Sequence, residues 1–310
     1  MRCEGISQNH EDSLFTLWKG TGETGREVWG TVPCGDDEAL PEAAASGVGE
    51  AAVAVIRFEE CERTKAMPLK KSDGNMYPWV THTHSHLTGK CPHGCVYCYV
   101  QAMAKKFANM KARYGGALGF DEKELKVVYG SGRTIFVEHM NDLFAEEIPR
   151  TFISAVLLHC WQYPGNQYAF QTKNPARYLA YLHAQGFGMP ALPLGSFLGT
   201  TIESNRDLGA LVMGYAPPPL MRKRAMVALR GVYGHHLRFV TIEPILDFDV
   251  NVMVDWLWEI NPDFVNIGAD SKGHGLPEPS ADKVWALIAS LGQLGIEIRE
   301  KHNLARLLGE

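Results

Sequence analysis

The 310-residue chain has no apolar run long enough to cross a bilayer, and its first twenty residues lack the basic start and apolar core of an export leader. The expectation is a cytosolic (cytoplasmic) protein with no membrane partner. Positive charge is not in excess either. With a formal net charge of −5, the molecule as a whole does not advertise a polyanion partner, although a local basic surface can still bind nucleic acid. The low hydrophobicity and high charge that mark disorder are missing as well: 45% hydrophobic and 21% charged residues, with a mean hydropathy of −0.15, belong to a folded globular protein. Cysteine is scarce. Of seven, four (Cys3, Cys34, Cys61 and Cys160) lie too far apart to form a metal motif and read as free thiols.

The other three cysteines are crowded into one stretch, TGKCPHGCVYCYVQAM, from Thr88 to Met103. In a reducing compartment such crowding favours metal binding over disulfides. Cys91, Cys95 and Cys98, spaced four and then three apart, can turn their sulfurs to one point and hold three corners of an iron-sulfur cube. The fourth iron would lack a protein ligand, a place for a small molecule to bind. Gly94 suits a tight loop, since glycine tolerates positive φ. The competing reading is a zinc-stabilised, non-catalytic binding protein in which His93, or one of His82, His84 and His86, completes four ligands. Zinc motifs usually come as two pairs of ligands, and no second cysteine pair exists here.

Residues 1–75 differ from the rest, being rich in Gly and Glu and containing the low-complexity run DDEALPEAAASGVGEAA at 36–52. They read as an N-terminal extension or small accessory subdomain with strand-like pieces at Glu27–Val32 and Ala52–Phe58, and with Lys65–Asp73 as a solvated linker. From Met76 to Glu310 the pattern changes. VTHTHSHL (80–87) alternates and should be extended, and Tyr99–Arg113 has helical spacing. Apolar runs then follow at 133–140, 168–173, 197–204, 238–245 and 264–270, with helical stretches between them at 149–161, 175–185, 219–233 and 250–259, and a last pair of elements over 280–308. Six strands alternating with helices predict an α/β protein with parallel strands and right-handed crossovers, either a doubly wound sheet or a barrel of βα units. Each apolar run ends in polar residues. In a parallel barrel these ends share one rim with the cysteine loop, which also follows a strand.

Several residues on those ends invite a role. His82, His84 and His86 would share one strand face, with neighbours about 6.6 Å apart, positioned to line a site, to bind a mononuclear metal, or to serve as plain core or surface histidines. Glu243 interrupts the apolar run 239–246, which is costly unless it is paired or used. Lys173 and Gln171 can hold an anion or face water. The basic residues Arg222, Lys223, Arg224 and Arg230 follow Pro217–Pro219 on a helix and read as a solvated face or a phosphate patch.

CPHGCVYC, with the aromatic Tyr97 directly before the third cysteine, resembles the CxxxCxφC signature of the radical S-adenosylmethionine superfamily. MYPWVTHT, FVEHMNDLF, FQTKNP, GTTIESN and FVTIEPILDFD are similar to a phage-associated and bacterial branch of that superfamily whose reaction is unassigned; together they span Met76–Asp270. The resemblance implies a partial (βα)6 TIM-like barrel. It implies a 4Fe-4S cluster on Cys91, Cys95 and Cys98, with S-adenosyl-L-methionine chelating the open iron and cleaved reductively to a 5'-deoxyadenosyl radical. It also implies an external one-electron reductant of flavodoxin or ferredoxin type. The superfamily binds the cofactor's amino group through a Gly-Gly-Glu block at the second strand end, which here reads Val137-Glu138-His139-Met140-Asn141-Asp142. Glu138, Asn141 and Asp142 are therefore candidates, with helix capping the alternative for Asn141 and Asp142. Thr201, Glu203 and Ser204 correspond to the ribose site, with Glu203 the expected ligand of both hydroxyls, and Gly268 to the adenine. Glu243, Lys173 and His84 are the expected catalytic residues. The loop also resembles that of spore photoproduct lyase, a DNA-repair member, which adds a nucleobase or nucleic acid to protein and metabolite as substrate classes. The donor cysteine of that enzyme is not carried over to Cys160, which lies in a helical stretch.

Overall fold

A computed structural model describes residues 15–21, 27–33, 67–73, 76–182, 190–230 and 235–309. The chain divides into two compact units, 1–64 with 184–189, and 65–183 with 190–310. In the first, strands β1 (Phe15–Thr21) and β2 (Glu27–Pro33) pair antiparallel. The second of the expected extended pieces, 52–58, lies outside the described residues.

The second unit is built on an eight-stranded sheet. Its strands in chain order are β3 (Lys70–Lys71), β4 (His82–His84), β7 (Thr134–Val137), β8 (Gln167–Thr172), β9 (Phe197–Thr201), β10 (Leu237–Ile242), β11 (Phe264–Ile267) and β12 (Glu297–Glu300). A separate two-stranded ribbon pairs β5 (Leu87–Thr88) with β6 (Gly119–Phe120). From β4 to β12 every neighbour is parallel and spatial order follows chain order; only β3 runs antiparallel, on the edge. Because the strand order never reverses, the sheet has no switch point of the doubly wound kind, and crossovers of one hand place the connecting helices on one face. The sheet does not close among the described residues.

The six strands expected from Met76 onward are all present, each ending before the expected run does and several keeping the first polar residues of their ends. The segment read as a linker contributes β3 at 70–71, and the last pair of elements includes a seventh parallel strand, β12. The helix expected over 99–113 is two, α1 (Tyr99–Lys106) and α2 (Ala108–Tyr114), separated at Phe107, whose backbone is extended. The other helices are α3 (Arg150–Trp161), α4 (Tyr178–Leu182), α5 (Ala210–Met213), α6 (Pro219–Arg230), α7 (Val250–Ile260), α8 (Ala281–Gln293) and α9 (Ala305–Leu308). Asn261 ends α7 in the left-handed conformation and Ser280 caps α8 by accepting from the Lys283 N–H. Among the described residues no helix is long and apolar enough to cross a membrane.

Alternation along the strands makes the two faces chemically different. Ile135, Tyr168, Phe170, Leu198, Val240, Ile242, Val265 and Ile267 are buried on one face. On the other, Phe136, Ala169, Phe197, Phe239 and Phe264 form one apolar layer with Tyr77 and Trp79. Trp79 lies 5.1–5.5 Å from Tyr77, Phe197, Phe239 and Phe264, so MYPWV is the plug of this face. Gly199 belongs to the same face: a Cβ there would lie 2.1 Å from the Phe239 ring.

Candidate active site

Two residues further along each strand the inward layer turns polar. Gln171, Thr201, Thr241 and Asn266 stand above the phenylalanines and are hydrogen-bonded to one another and to the plug. The Tyr77 hydroxyl donates to Gln171 Oε1 (3.0 Å), Gln171 Nε2 donates to Thr201 (3.0 Å), and Asn266 Nδ2 donates to Thr241 (3.2 Å). One step more brings charge: Lys173, Glu203 and Glu243. Above this floor lies a cavity of about 660 Å³, within the usual size range of ligand sites. Its lining includes all three loop cysteines together with Glu138, Asn141, Asp142, Lys173, Thr201 and Glu243. A shallower depression of about 550 Å³ beside Gly89 and Gly116 contains no thiol, and its Arg113–Asp121 pair is internally satisfied at 3.1 Å.

The cysteine loop is held by backbone. The Cys98 N–H donates to the Cys95 carbonyl (3.1 Å), forming the turn between two of the thiols, and Gly94 has the positive φ (+64°) expected of it. The loop then docks on the segment containing α5: the Val96 N–H donates to Val212 O (3.2 Å), the Tyr215 N–H donates to His93 O (2.7 Å), and Cys95 Sγ donates to Met213 O (3.4 Å). None of the three thiols is in a disulfide. Burial pushes the Cys91 and Cys95 thiols up. The donor set fits an iron-sulfur cube with one corner left for a non-protein ligand. Of the histidines weighed for a zinc set, His82, His84 and His86 do not line the cavity; His93 does, with its Nε2 facing Asp142 (2.8 Å).

Glu203 is the electrostatic centre of the wall. It is fully buried, accepts from Arg222 Nη1 at 2.8 and 3.1 Å and from the Tyr97 hydroxyl, and has Lys173 Nζ at 3.1 Å. Burial alone would raise this carboxyl, but Arg222 and then Lys173 overcome it and bring it to about 2. The stability that this depression contributes is complete above the ordinary value of 4.5 and is lost as pH falls toward about 2. Urea melts at stepped pH should show that loss, on the order of 3 kcal/mol for the group, and Glu203→Gln should flatten the acid limb.

The other carboxylates are equally engaged. Glu138, with a left-handed φ of +57° that is costly for a non-glycine residue, accepts at Oε1 from the His86 N–H (2.6 Å) and at Oε2 from the Leu87 N–H (3.2 Å), and faces His86 Nδ1 (2.8 Å). Asp142 accepts from His93 Nε2, from the Lys173 N–H (2.8 Å) and from the Phe144 N–H (3.0 Å). Burial would raise it, yet His93 holds it below the usual carboxylate range. Asn141 donates to Gly89 O (3.2 Å) and Glu243 pairs with Lys301 (2.8 Å).

Some expectations change accordingly. Glu203, expected at the ribose site, is fully buried and not on the cavity lining, and it is engaged by Arg222, Tyr97 and Lys173. Ser204 donates to Asp247 O (2.6 Å) and, like Gly268, is not on the lining. His84 was expected among the catalytic residues, but in β4 it pairs with Val137, on the face opposite Phe136 and the cavity, and its ring lies in a cluster with Glu124, Tyr129, His86 and His159. Arg222 and Lys223, read as a solvated face or a phosphate patch, are buried. His93 and Tyr97, both inside the cysteine motif, are partners of Asp142 and Glu203, and their places in the motif are the only sign of it in the sequence.

A family model described as a protein of unknown function, DUF5131, matches residues 75–287. No curated protein matches. Solved structures that align include a Cys-to-Ser mutant of spore photoproduct lyase (10% identity, 74% of this chain and 78% of that one, TM-score 0.49). A Cys-to-Ala mutant of that lyase with a dinucleoside spore photoproduct aligns at 12% identity, over 65% of this chain and 60% of that one, with a TM-score of 0.41.

Proposed function

The chain belongs to the DUF5131 family of proteins of unknown function, and from that premise we propose, on the chemistry of its own site, that it is a radical S-adenosylmethionine enzyme with a 4Fe-4S cluster on Cys91, Cys95 and Cys98. The observation that carries this reading is the meeting of three thiols in one strand-end cavity. Consecutive parallel strands support a partial barrel over residues 76–310, with 1–75 as an accessory segment.

Bound there, the cluster and S-adenosylmethionine would supply a one-electron cleavage and a carbon-centred radical that removes a hydrogen atom from substrate. The protein's contribution is positioning and exclusion of water. The aromatic plug closes the floor, so ligands enter from the strand-end side. Lys173, partly open to the cavity at 16% exposure and 5.3 Å over the Tyr97 ring, offers a fixed cation to a carboxylate. Thr201 and Gln171 offer hydrogen bonds beside it. Tyr99, Met103 and Met140 give the upper wall an apolar, adaptable surface. The substrate class is a nucleobase or nucleic acid, a protein or a metabolite, and electrons come from a flavodoxin- or ferredoxin-like donor.

Anaerobically reconstituted protein should be brown, carry about four irons per chain and form 5'-deoxyadenosine from S-adenosylmethionine on reduction. Cys95→Ala should abolish both iron retention and product. A colourless protein retaining only zinc at these thiols, or product formation that survives Cys95→Ala, would overturn the proposal. Deuterium passing from a labelled candidate into deoxyadenosine would then identify the substrate.

A further inference from the structure

Behind Glu138, away from the thiols, three imidazoles meet in the core. His84 ends β4, His86 follows two residues later and His159 lies in the last turn of α3; all are buried, and one ligand atom from each lies within 4.8 Å of the others. Each ring is anchored outward through one nitrogen. His86 Nδ1 faces Glu138 Oε1 (2.8 Å), His84 Nε2 faces Glu124 Oε2 (2.9 Å), and His159 Nε2 faces the Val127 carbonyl (2.9 Å). The opposite nitrogens converge: His86 Nε2 lies 2.8 Å from His159 Nδ1, and the Tyr129 hydroxyl lies 2.6 Å from His84 Nδ1 and 3.4 Å from His86 Nε2.

Protons alone satisfy this arrangement at a cost. The Val127 carbonyl only accepts, so His159 carries its proton on Nε2 and its Nδ1 is bare. The 2.8 Å contact then requires a proton on His86 Nε2. Glu138 Oε1, which already accepts a backbone N–H, requires another on His86 Nδ1. Both ring nitrogens of His86, which has no exposed surface, would then have to donate at once. A cation at the convergence point removes the need for the inner proton. The carboxylate and carbonyl anchors on the outer nitrogens are the partners that ligating histidines ordinarily have.

We propose that His84, His86 and His159, with the Tyr129 hydroxyl as fourth group, bind one divalent first-row metal ion, zinc by its donor preference and tetrahedral geometry. Two nitrogens on such an ion stand about 3.3 Å apart, so the His86–His159 gap needs to open by roughly half an ångström. With four protein groups and no access to water the site is structural. It pins the end of β4, the 122–129 segment and α3 together, and through His86 it fixes Glu138 on the cavity wall. It is independent of what the cysteine loop holds.

The test uses the full chain with Cys91, Cys95 and Cys98 replaced by alanine, shown to be folded by circular dichroism. Mass-spectrometric metal analysis should find about one zinc per chain. Titration of metal-stripped protein with Co2+ should give visible ligand-field bands that saturate at one equivalent, without thiolate charge-transfer bands. His159→Gln should abolish the bands, and Glu138→Gln should weaken Co2+ binding by about 10–100-fold. A folded protein that shows no ligand-field bands with Co2+, or a His159→Gln variant that binds as before, overturns the proposal. If the alanine variant does not fold, the same titration of the cysteine-intact protein, freed of iron and with its thiols alkylated, decides on the same bands.

Discussion

Arg222→Ala is expected to destabilise the protein by about 3–5 kcal/mol, the range for breaking a buried ion pair by removing one partner. Arg222 is completely buried, and its guanidinium makes two contacts to Glu203 (2.8 and 3.1 Å), one to the Thr201 carbonyl (3.0 Å) and one to the Pro217 carbonyl (2.6 Å). Without it, Glu203 keeps only Lys173 and Tyr97 against the cost of burial. Arg222→Lys should recover only part of the loss, because an ammonium cannot reproduce the planar fork. Arg222→Met combined with Glu203→Leu should recover more, since the carboxylate with no exposed surface leaves together with its guanidinium and Lys173, 16% exposed, is the one charged group of the set that loses a partner. Urea midpoints at neutral pH measure all three.

Gly214→Ala is the second large effect. Gly214 has a φ of +62°, and a Cβ there would lie 1.9 Å from the His93 carbonyl oxygen and 2.9 Å from the Gly94 carbonyl carbon. Both obstacles are backbone, so relief requires the cysteine loop to move off α5. Strain in the left-handed region and overpacking together cost about 2–5 kcal/mol. Iron retention after reconstitution should fall severalfold although every cysteine is intact. Gly116→Ala, where a Cβ meets nothing within 4 Å, should behave as wild type.

These two residues mark what the sequence makes legible and what it hides. The cysteine motif, the strand runs and their polar ends can be read from spacing, because thiol geometry and side-chain alternation are local. Arg222 cannot, since a basic residue among Lys223 and Arg224 at the start of a helix has the pattern of a solvated face, and only Glu203, nineteen residues earlier, makes it a core residue. His159 gave a faint signal, a polar ring inside the apolar run ISAVLLHCW of α3, but its partners on β4 come from distant sequence. The three alternating histidines of VTHTHSHL suggested one face. His84 and His86 do lie together, their rings 4.4 Å apart, but on the side of Ile135 and Val137 rather than that of the cavity. β12 was obscured because its residues, EIRE, are mostly charged, as suits an edge strand.

The docking of the cysteine loop onto α5, with Tyr97 on Glu203 and Glu203 on Arg222, has a consequence for biosynthesis. Roughly 120 residues separate the last thiol from Arg222, which a ribosome adding 5–20 residues per second takes about 6–25 s to make. Throughout that interval the three thiols are on the nascent chain without the surface that orders them. The loop's docking surface is complete only once Arg222 has been made, so the thiols' exposure to oxidants before that point is set by the elongation rate.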